Sequence, residues 1–226
     1  MENYKTFKVK KSKYCKNWSP VLVSDYMSGK MDGIPSISTS CLSNPICIAR
    51  MKDDESICAR CFAEATLMRY KECGKNCAQN YDLLTSELVP QYLLPIFNDD
   101  VTIVRIESFG DVANVTQAIN YINIIRMNPT VRFAWWSKNA SIINEAFAQV
   151  GKPRNVVMVE SSCKLNVQKK LSANFDKVFT VYDAEHIEGN KININCGARS
   201  CATCQRCYKK GTGTIVNEKL KGGKAA

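Results

Sequence analysis

"VTIVRIESFGD", residues 101–111, is the stretch of sequence that decides the fold. Its first half is rich in β-branched residues and predicts a strand, which runs up to a Gly-Asp turn. An amphipathic segment at residues 114–129 follows and stops before Pro129, as a helix does. A strand followed by a helix of this length forms one βα unit, and this unit indicates a parallel sheet with crossover helices.

The pattern of the first unit returns three times along the chain. The further predicted strands are "VRFAWWS" (131–137), "NVVMVESS" (155–162) and "KVFTVYD" (177–183). The helices predicted between them are "ASIINEAFAQVG" (140–151) and the short "NVQKKLSANF" (166–175). Four units are too few for an eight-stranded barrel. We therefore expect an α/β fold, either a partial or irregular parallel (β/α) barrel or an open parallel sheet.

Three parts of different composition make up the 226 residues. Residues 1–77 form a cysteine-rich segment in which only residues 53–72 have a helical pattern, and no strand can be placed there. Residues 78–190 form the βα core. Residues 191–226 form a cysteine-rich segment whose Gly/Lys-rich ending, from residue 211, is expected to be frayed.

Twelve cysteines and a single histidine, His186, are the main chemical clue. The start of the chain has no signal-peptide pattern, and no run approaches the roughly 18 to 20 apolar residues of a membrane span. We therefore expect a cytoplasmic protein without a membrane partner. Cysteines in a reducing compartment indicate metal or redox chemistry, and with one histidine the ligands must be thiolates, which select zinc or an iron–sulfur cluster.

The C-terminal cysteines have the spacing C-x4-C-x2-C-x2-C and are Cys196, Cys201, Cys204 and Cys207. Two-residue gaps allow consecutive cysteines to surround one centre, as in iron–sulfur ligand runs. Four thiolates in one loop are enough for a complete site. The sequence therefore predicts a metal centre in this segment.

A second centre is predicted from Cys41, Cys47, Cys58 and Cys61. The pair Cys58 and Cys61 opens the predicted helix, whose N-terminus favours thiolate. Its ligand set has an alternative, because Cys58, Cys61, Cys73 and Cys77 also have the spacing of a zinc site. Cys15 is expected to join a site, and Cys163 to be a small buried side chain.

Two compact thiolate centres beside a βα domain favour iron–sulfur, with one or two 4Fe-4S clusters, and structural zinc is the alternative. The C-x3-C-x2-C motif of radical S-adenosylmethionine enzymes is missing, since Asn80 stands where a third cysteine would follow Cys73 and Cys77. S-adenosylmethionine is therefore a possible cofactor that no sequence motif supports.

Polar residues collect at the ends of the predicted strands, where parallel βα folds place their working groups. The predicted catalytic residues are Arg105, Glu107, Asp111, Lys138 and Asp183, and Ser137 and Ser161 are predicted to contact a cofactor. Polar loops and helix capping are the alternative interpretation of these residues. Tandem Trp135 and Trp136 are expected to lie in the core, with one of them open to the strand ends.

The formal net charge of +10 lies mostly at the two ends of the chain. Residues 1–77 carry thirteen Lys/Arg against eight acids, and residues 191–226 carry eight against one. Such an excess attracts nucleic acid, or it offsets the negative charge of thiolate-bound metal. Two functions follow: an iron–sulfur redox or radical-type enzyme with an unknown substrate, or a zinc-stabilised protein that binds nucleic acid through its basic ends.

Three short segments together resemble one family: "CARCF" (58–62), "VRIESFGD" (104–111) and "RFAWWSK" (132–138). They are similar to the cysteine-rich proteins of the phage gene product 88 type, which are in turn distantly similar in layout to radical S-adenosylmethionine barrels. The resemblance covers about residues 41–165. It implies a metal role for Cys47, Cys58 and Cys61, and a site role for Gly110, Asp111 and Lys138.

The sequence departs from that family pattern at two positions. Glu107 stands where a histidine or another polar residue is expected, and Cys41 lacks the proline and glycine of a Cys-Pro-Gly opening. These departures leave the cofactor chemistry open.

Overall fold

The computed structural model describes residues 6–220, so the last part of the predicted basic tail, residues 221–226, lies outside the described residues. Seven strands form a single sheet in the order of the sequence. They are β1 (Val23–Ser24), β2 (Ser36–Ile37), β3 (Ile103–Ile106), β4 (Arg132–Ser137), β5 (Val156–Ser161), β6 (Lys177–Tyr182) and β7 (Ile215–Lys219). β1 is antiparallel to β2, and every other pair of neighbours is parallel. The fold is thus α/β, and the sheet is open between β1 and β7.

Seven α-helices accompany the sheet in the described part of the chain. They are α1 (Pro45–Met51), α2 (Phe62–Arg69), α3 (Lys71–Ser86), α4 (Val115–Met127), α5 (Ala140–Val150), α6 (Ala184–Asn190) and α7 (Cys201–Cys204). None of these helices has the length and apolar composition that a membrane crossing needs.

Local signals explain where the core helices begin and end. The side chain of Asn114 accepts a hydrogen bond from the Gln117 backbone and caps α4. Gly151 follows α5 with φ 77°, a conformation that a glycine adopts without strain. The four predicted core strands and both of these helices are confirmed.

Side chains of the central strands alternate between two apolar layers. One layer contains Val104, Phe133, Trp135 and Met158 and packs against α3, α4 and α5. The opposite layer contains Ile103, Ala134, Trp136, Val157 and Val159. That second layer is covered by the C-terminal cysteine segment, chiefly through the buried Tyr208. The two cysteine-rich ends of the chain are therefore built onto one core.

Two predicted features are wrong. Residues 166–175 contain no helix, because this segment instead forms hydrogen bonds with the side chain of Glu160 at the end of β5. The buried Glu160 carboxylate accepts hydrogen bonds from the Ser172 backbone at 3.0 Å, from the Ser172 hydroxyl at 2.9 Å and from Lys169. The ending expected to be frayed instead provides β7, which pairs with β6 over five residues.

Candidate functional site

The first acidic residue after β3 is Glu107, which is 2% exposed. Its carboxylate accepts hydrogen bonds from Tyr121 Oη at 2.6 Å, Thr39 Oγ1 at 2.7 Å and Gln117 Nε2 at 2.9 Å. The Thr39 backbone donates a fourth at 3.1 Å. Burial raises the pKa of Glu107 to about 7, although the hydrogen bonds from Tyr121 and Thr39 oppose the rise. A carboxyl group in this range can hold or release a proton near neutral pH.

The backbone conformation of Glu107 is energetically unfavourable. Its φ of 60° lies in the left-handed region, which non-glycine residues rarely adopt. Such conformations persist only where the surroundings hold them in place, and they concentrate at functional sites. Four donors from three residues, Thr39, Gln117 and Tyr121, bind the side chain of Glu107.

Asp111 joins the loop after β3 to the end of β4. Its carboxylate, 5% exposed, accepts from Ser137 Oγ at 2.7 Å and from the Lys138 backbone at 3.0 Å, and it pairs with Arg50 Nη1 at 3.2 Å. Arg50 also donates to Asn139 Oδ1 at 2.6 Å. The predicted residues Asp111, Ser137 and Lys138 are therefore neighbours, and Lys138 contributes its backbone N–H to this contact.

Gly110 lies between these two carboxylates. A Cβ atom at this position would stand 2.6 Å from both the carbonyl oxygen and the hydroxyl of Thr39. The loop can approach Thr39 this closely only because residue 110 has no side chain.

Six thiols from the first part of the chain form what we call the N-terminal thiol group: Cys41, Cys47, Cys58, Cys61, Cys73 and Cys77. Cys61 is the residue directly before α2. The Cys41 thiol and the backbone of Glu64 and Ala63 lower the pKa of Cys61 against the effect of burial. In the same way, a hydrogen bond from Cys77 lowers the pKa of Cys73. The group thus contains two pairs of interacting thiols, Cys41 with Cys61 and Cys73 with Cys77.

This thiol group adjoins the carboxylates at the strand ends. Cys47 interacts electrostatically with Asp111, Glu107 and Lys138. Cys61 also interacts electrostatically with Lys138. Burial is the main reason that the pKa of Cys47 is raised. The structure therefore brings Glu107, Asp111 and Lys138 together with the cysteines of the N-terminal thiol group, which include the alternative ligands Cys73 and Cys77.

The C-terminal thiol group consists of Cys196, Cys201, Cys204 and Cys207, which interact electrostatically with one another. Burial raises the pKa of Cys207 to about 12, and the nearby Arg105 opposes the rise. Cys204 is exposed. The group lies on the second apolar layer of the sheet, on which Cys201 and Cys207 pack.

Three cations approach the C-terminal thiol group from separate parts of the chain. Lys30 Nζ lies 3.1 Å from the Cys196 carbonyl oxygen and 4.0 Å from its Sγ. Arg105 acts on Cys201 and Cys207, and Lys177 acts on Cys207. Lys30 also forms an ion pair with Glu218 at 3.0 Å, so three cations and one carboxylate lie around these four thiols.

The comparisons with known proteins give one match. A model of the Gene product 88 family matches residues 3–225. The chain belongs to the gene product 88 family. No curated protein and no solved structure matches. The match includes the C-terminal cysteines, which lie beyond the segments that carry the sequence resemblance, and it gives no support to a similarity with radical S-adenosylmethionine barrels.

Other predicted site residues of this gene product 88 protein lie apart from the strand-end carboxylates. Arg105 points to the second layer, where its Cζ is 3.2 Å from the centre of the Trp136 ring. Asp183 caps α6 by accepting from the His186 backbone at 2.8 Å, and it binds Asn166 at 2.7 Å. Ser161 is buried at the end of β5, two strands away from β3.

The remaining aromatic and cysteine predictions have mixed outcomes. Trp135 and Trp136 are both buried, one in each layer, so the core interpretation is confirmed. Cys15 packs in the main apolar core, separate from both thiol groups. The carbonyl group of the half-buried Cys163 binds the backbone of Ile57, beside the N-terminal thiol group.

Sequence reasoning missed several residues that hold the strand-end carboxylates. Gln117 and Tyr121 stand four positions apart on α4 and therefore lie on the same, buried face of the helix. Two polar groups on a buried helix face are a sequence signal that could have identified them. Thr39 and Arg50 come from a part of the chain where no strand or helix was predicted. Their contacts depend on tertiary packing.

The donor chemistry of both thiol groups fits a thiolate-bound metal. Each group offers four or more thiols, and cations lie beside them. Within residues 6–220, no three or more Cys, His, Asp or Glu side chains are already arranged around one common ion position.

Proposed function

We propose that this protein is an iron–sulfur metalloprotein with 4Fe-4S clusters in one or both thiol groups, and that it is a cytoplasmic enzyme of redox or radical type. The C-terminal ligands are Cys196, Cys201, Cys204 and Cys207. The N-terminal ligands are Cys41, Cys47, Cys58 and Cys61. In this proposal residues 1–77 and 191–226 provide the centres, and residues 78–190 provide the core that carries the reaction site.

The observation that carries the proposal is the convergence of Lys30, Arg105 and Lys177 on the C-terminal thiols. A cubane with four thiolate ligands has a net charge of roughly −2. Bringing cations together beside neutral thiols costs free energy, whereas cations beside such an anionic centre are stabilised. The arrangement therefore suits a charged, thiolate-bound centre.

The paired thiols of the N-terminal group support the same conclusion. Cys41 interacts with Cys61, and Cys73 interacts with Cys77. Loss of the thiol protons would leave thiolates facing each other, which a metal cation compensates. Cys73 and Cys77 are therefore alternative ligands for this centre.

We place the reaction site beside the N-terminal thiol group, at the carboxyl ends of β3 and β4. When bound, an iron–sulfur centre supplies an electron. Glu107 holds or accepts a proton, and Asp111 fixes the loop between the strands through Ser137 and Arg50. Whether S-adenosylmethionine takes part is left to a binding measurement.

A partial (β/α) barrel is the architecture we propose for this site. The strands follow one another in sequence order, helices cover one face of the sheet and the C-terminal segment covers the other. Doubly wound sheets instead reverse their strand order and carry helices on both faces.

A zinc-stabilised protein that binds single-stranded nucleic acid is the second candidate. Trp135 and Trp136 are buried and cannot stack on bases, but Trp18 and Tyr26 are 65% and 85% exposed. The Nζ of Lys13 lies 4.1 Å from the centre of the Tyr26 ring. Exposed aromatic rings among lysines suit single strands, and such binding would weaken steeply as salt rises.

Metal analysis of protein purified without oxygen tests the proposal. We expect brown protein with a broad absorption band, and roughly four to eight irons with matching sulfide per chain. The double variants Cys201→Ser/Cys204→Ser and Cys58→Ser/Cys61→Ser should each lose the iron of one centre. Cys15→Ala is the control and should keep all of it. Colourless protein with one or two zinc ions would overturn the iron–sulfur proposal and favour the second candidate.

A further inference from the structure

A small cavity lies at the amino ends of β4 and β5, at the opposite end of these strands from Ser137. Its volume is about 230 Å³. The lining includes Arg132, Arg154, Tyr208, Lys209 and Lys210. Neither of the strand-end carboxylates, Glu107 and Asp111, lines this cavity.

Four of the lining residues are cationic, and the lining contains no acidic residue. Their contacts in the described part of the chain are with neutral groups. Arg132 Nη2 donates to Gln205 Oε1 at 3.1 Å, and Lys210 Nζ lies 3.4 Å from the Arg154 carbonyl oxygen. None of the four forms an ion pair with a carboxylate of residues 6–220. No carboxylate of residues 6–220 therefore neutralises the four cationic side chains around the cavity.

We infer that this cavity binds the phosphate group of a small phosphomonoester. Two arginines and two lysines line this one concave space. Guanidinium and ammonium groups are the donors that recognise phosphate. Pockets for drug-sized ligands have volumes of about 300–1,000 Å³, so the cavity suits a smaller ligand such as a sugar phosphate. The inference does not depend on the proposed function, because it involves neither thiol group.

Calorimetric titration of the full chain at low ionic strength tests the inference, with ribose 5-phosphate, ribose and inorganic phosphate as probes. We expect ribose 5-phosphate to bind and ribose not to bind. Equal affinity for inorganic phosphate would assign the cavity to free phosphate and would support the same chemistry. Arg154→Gln and Lys210→Gln should each weaken binding about tenfold, the loss expected for one charge-assisted hydrogen bond.

Lys52→Gln is the matched control, because it removes one exposed positive charge at a distant position in the sequence. This control should leave the affinity unchanged. The variant Arg132→Lys is the conservative change, because it keeps the positive charge in the wall of the cavity. Binding that is weakened equally by Lys52→Gln and Lys210→Gln would overturn the inference, since it would reflect net charge alone. Binding of a single-stranded oligonucleotide without binding of ribose 5-phosphate would also overturn it, in favour of a nucleic-acid surface.

Discussion

Glu107 and Gly110 impose opposite demands on the short loop after β3. Glu107 keeps a long side chain in a left-handed backbone conformation, and Gly110 needs to have no side chain at all. Thr39 contacts both residues: it binds the Glu107 carboxylate, and it leaves no room for a side chain at Gly110. The conformation of the loop after β3 therefore depends on its contacts with Thr39.

Replacing Glu107 should change how stability depends on pH. Because burial raises its pKa from 4.5 to about 7, the folded state holds a proton that the unfolded state has released. The free energy of unfolding should therefore fall as pH rises from 4.5 to 7, by about 3 kcal/mol at most. Glu107→Gln should remove this fall, as measured by urea unfolding across that range.

The control for this prediction is Glu145→Gln, which changes an exposed acid on α5. It should keep the pH dependence of the unmodified chain. A Glu107→Gln profile that still falls between pH 4.5 and 7 would show that another group is responsible.

Gly110→Ala should destabilise the fold by about 1–3 kcal/mol, because the new methyl group meets the backbone of Thr39. Gly189→Ala is the matched control: it lies in α6 and a Cβ there has no neighbour within 4 Å. That change should be neutral or stabilising by up to about 1 kcal/mol. Thermal unfolding of both variants gives the comparison, and equal melting temperatures would contradict the expectation.

At the scale of elements, β7 is the largest correction to the sequence prediction. The glycines and lysines around "TIVNEK" predict a frayed end, yet Val216 is fully buried. A five-residue strand has too little local signal to outweigh such flanking residues. Its position is decided by backbone pairing with β6.

Two neighbouring positions in β7 test this assignment. Val216→Asp should cost more than about 3 kcal/mol, because it buries a charge without a partner. Ile215→Asp should cost less than about 1 kcal/mol, because Ile215 is 41% exposed. The two values come from chemical unfolding under the same conditions. Similar, small losses in both variants would mean that β7 does not form.

At the scale of the whole molecule, all three parts of the chain contribute to one sheet. Residues 1–77 provide β1 and β2, residues 78–190 provide β3 to β6, and residues 191–226 provide β7. The C-terminal segment also covers the second apolar layer. The two cysteine-rich ends are therefore tied to the same core.

This common sheet predicts a single unfolding transition. Far-UV circular dichroism, tryptophan fluorescence and thiol reactivity should report the same midpoint in denaturant, because all seven strands of residues 6–220 belong to one sheet. Thiols that become reactive well before the fluorescence changes would show that the cysteine segments unfold on their own.

The sequence by itself determined the four core strands, α4 and α5, and the spacing of the C-terminal cysteines. These features depend on local periodicity, caps and turns, which neighbouring residues encode. Only the tertiary structure decided that Glu107 and Asp111 adjoin the N-terminal thiols while Arg105 faces the C-terminal thiols. Arg105 and Glu107 are two positions apart and would share a face in a regular strand. β3 ends at Ile106, however, and the left-handed backbone of Glu107 lets its side chain bind Gln117 and Tyr121 of α4 on the other face. The partners Thr39, Gln117 and Tyr121 come from distant segments, and long-range packing alone brings them together.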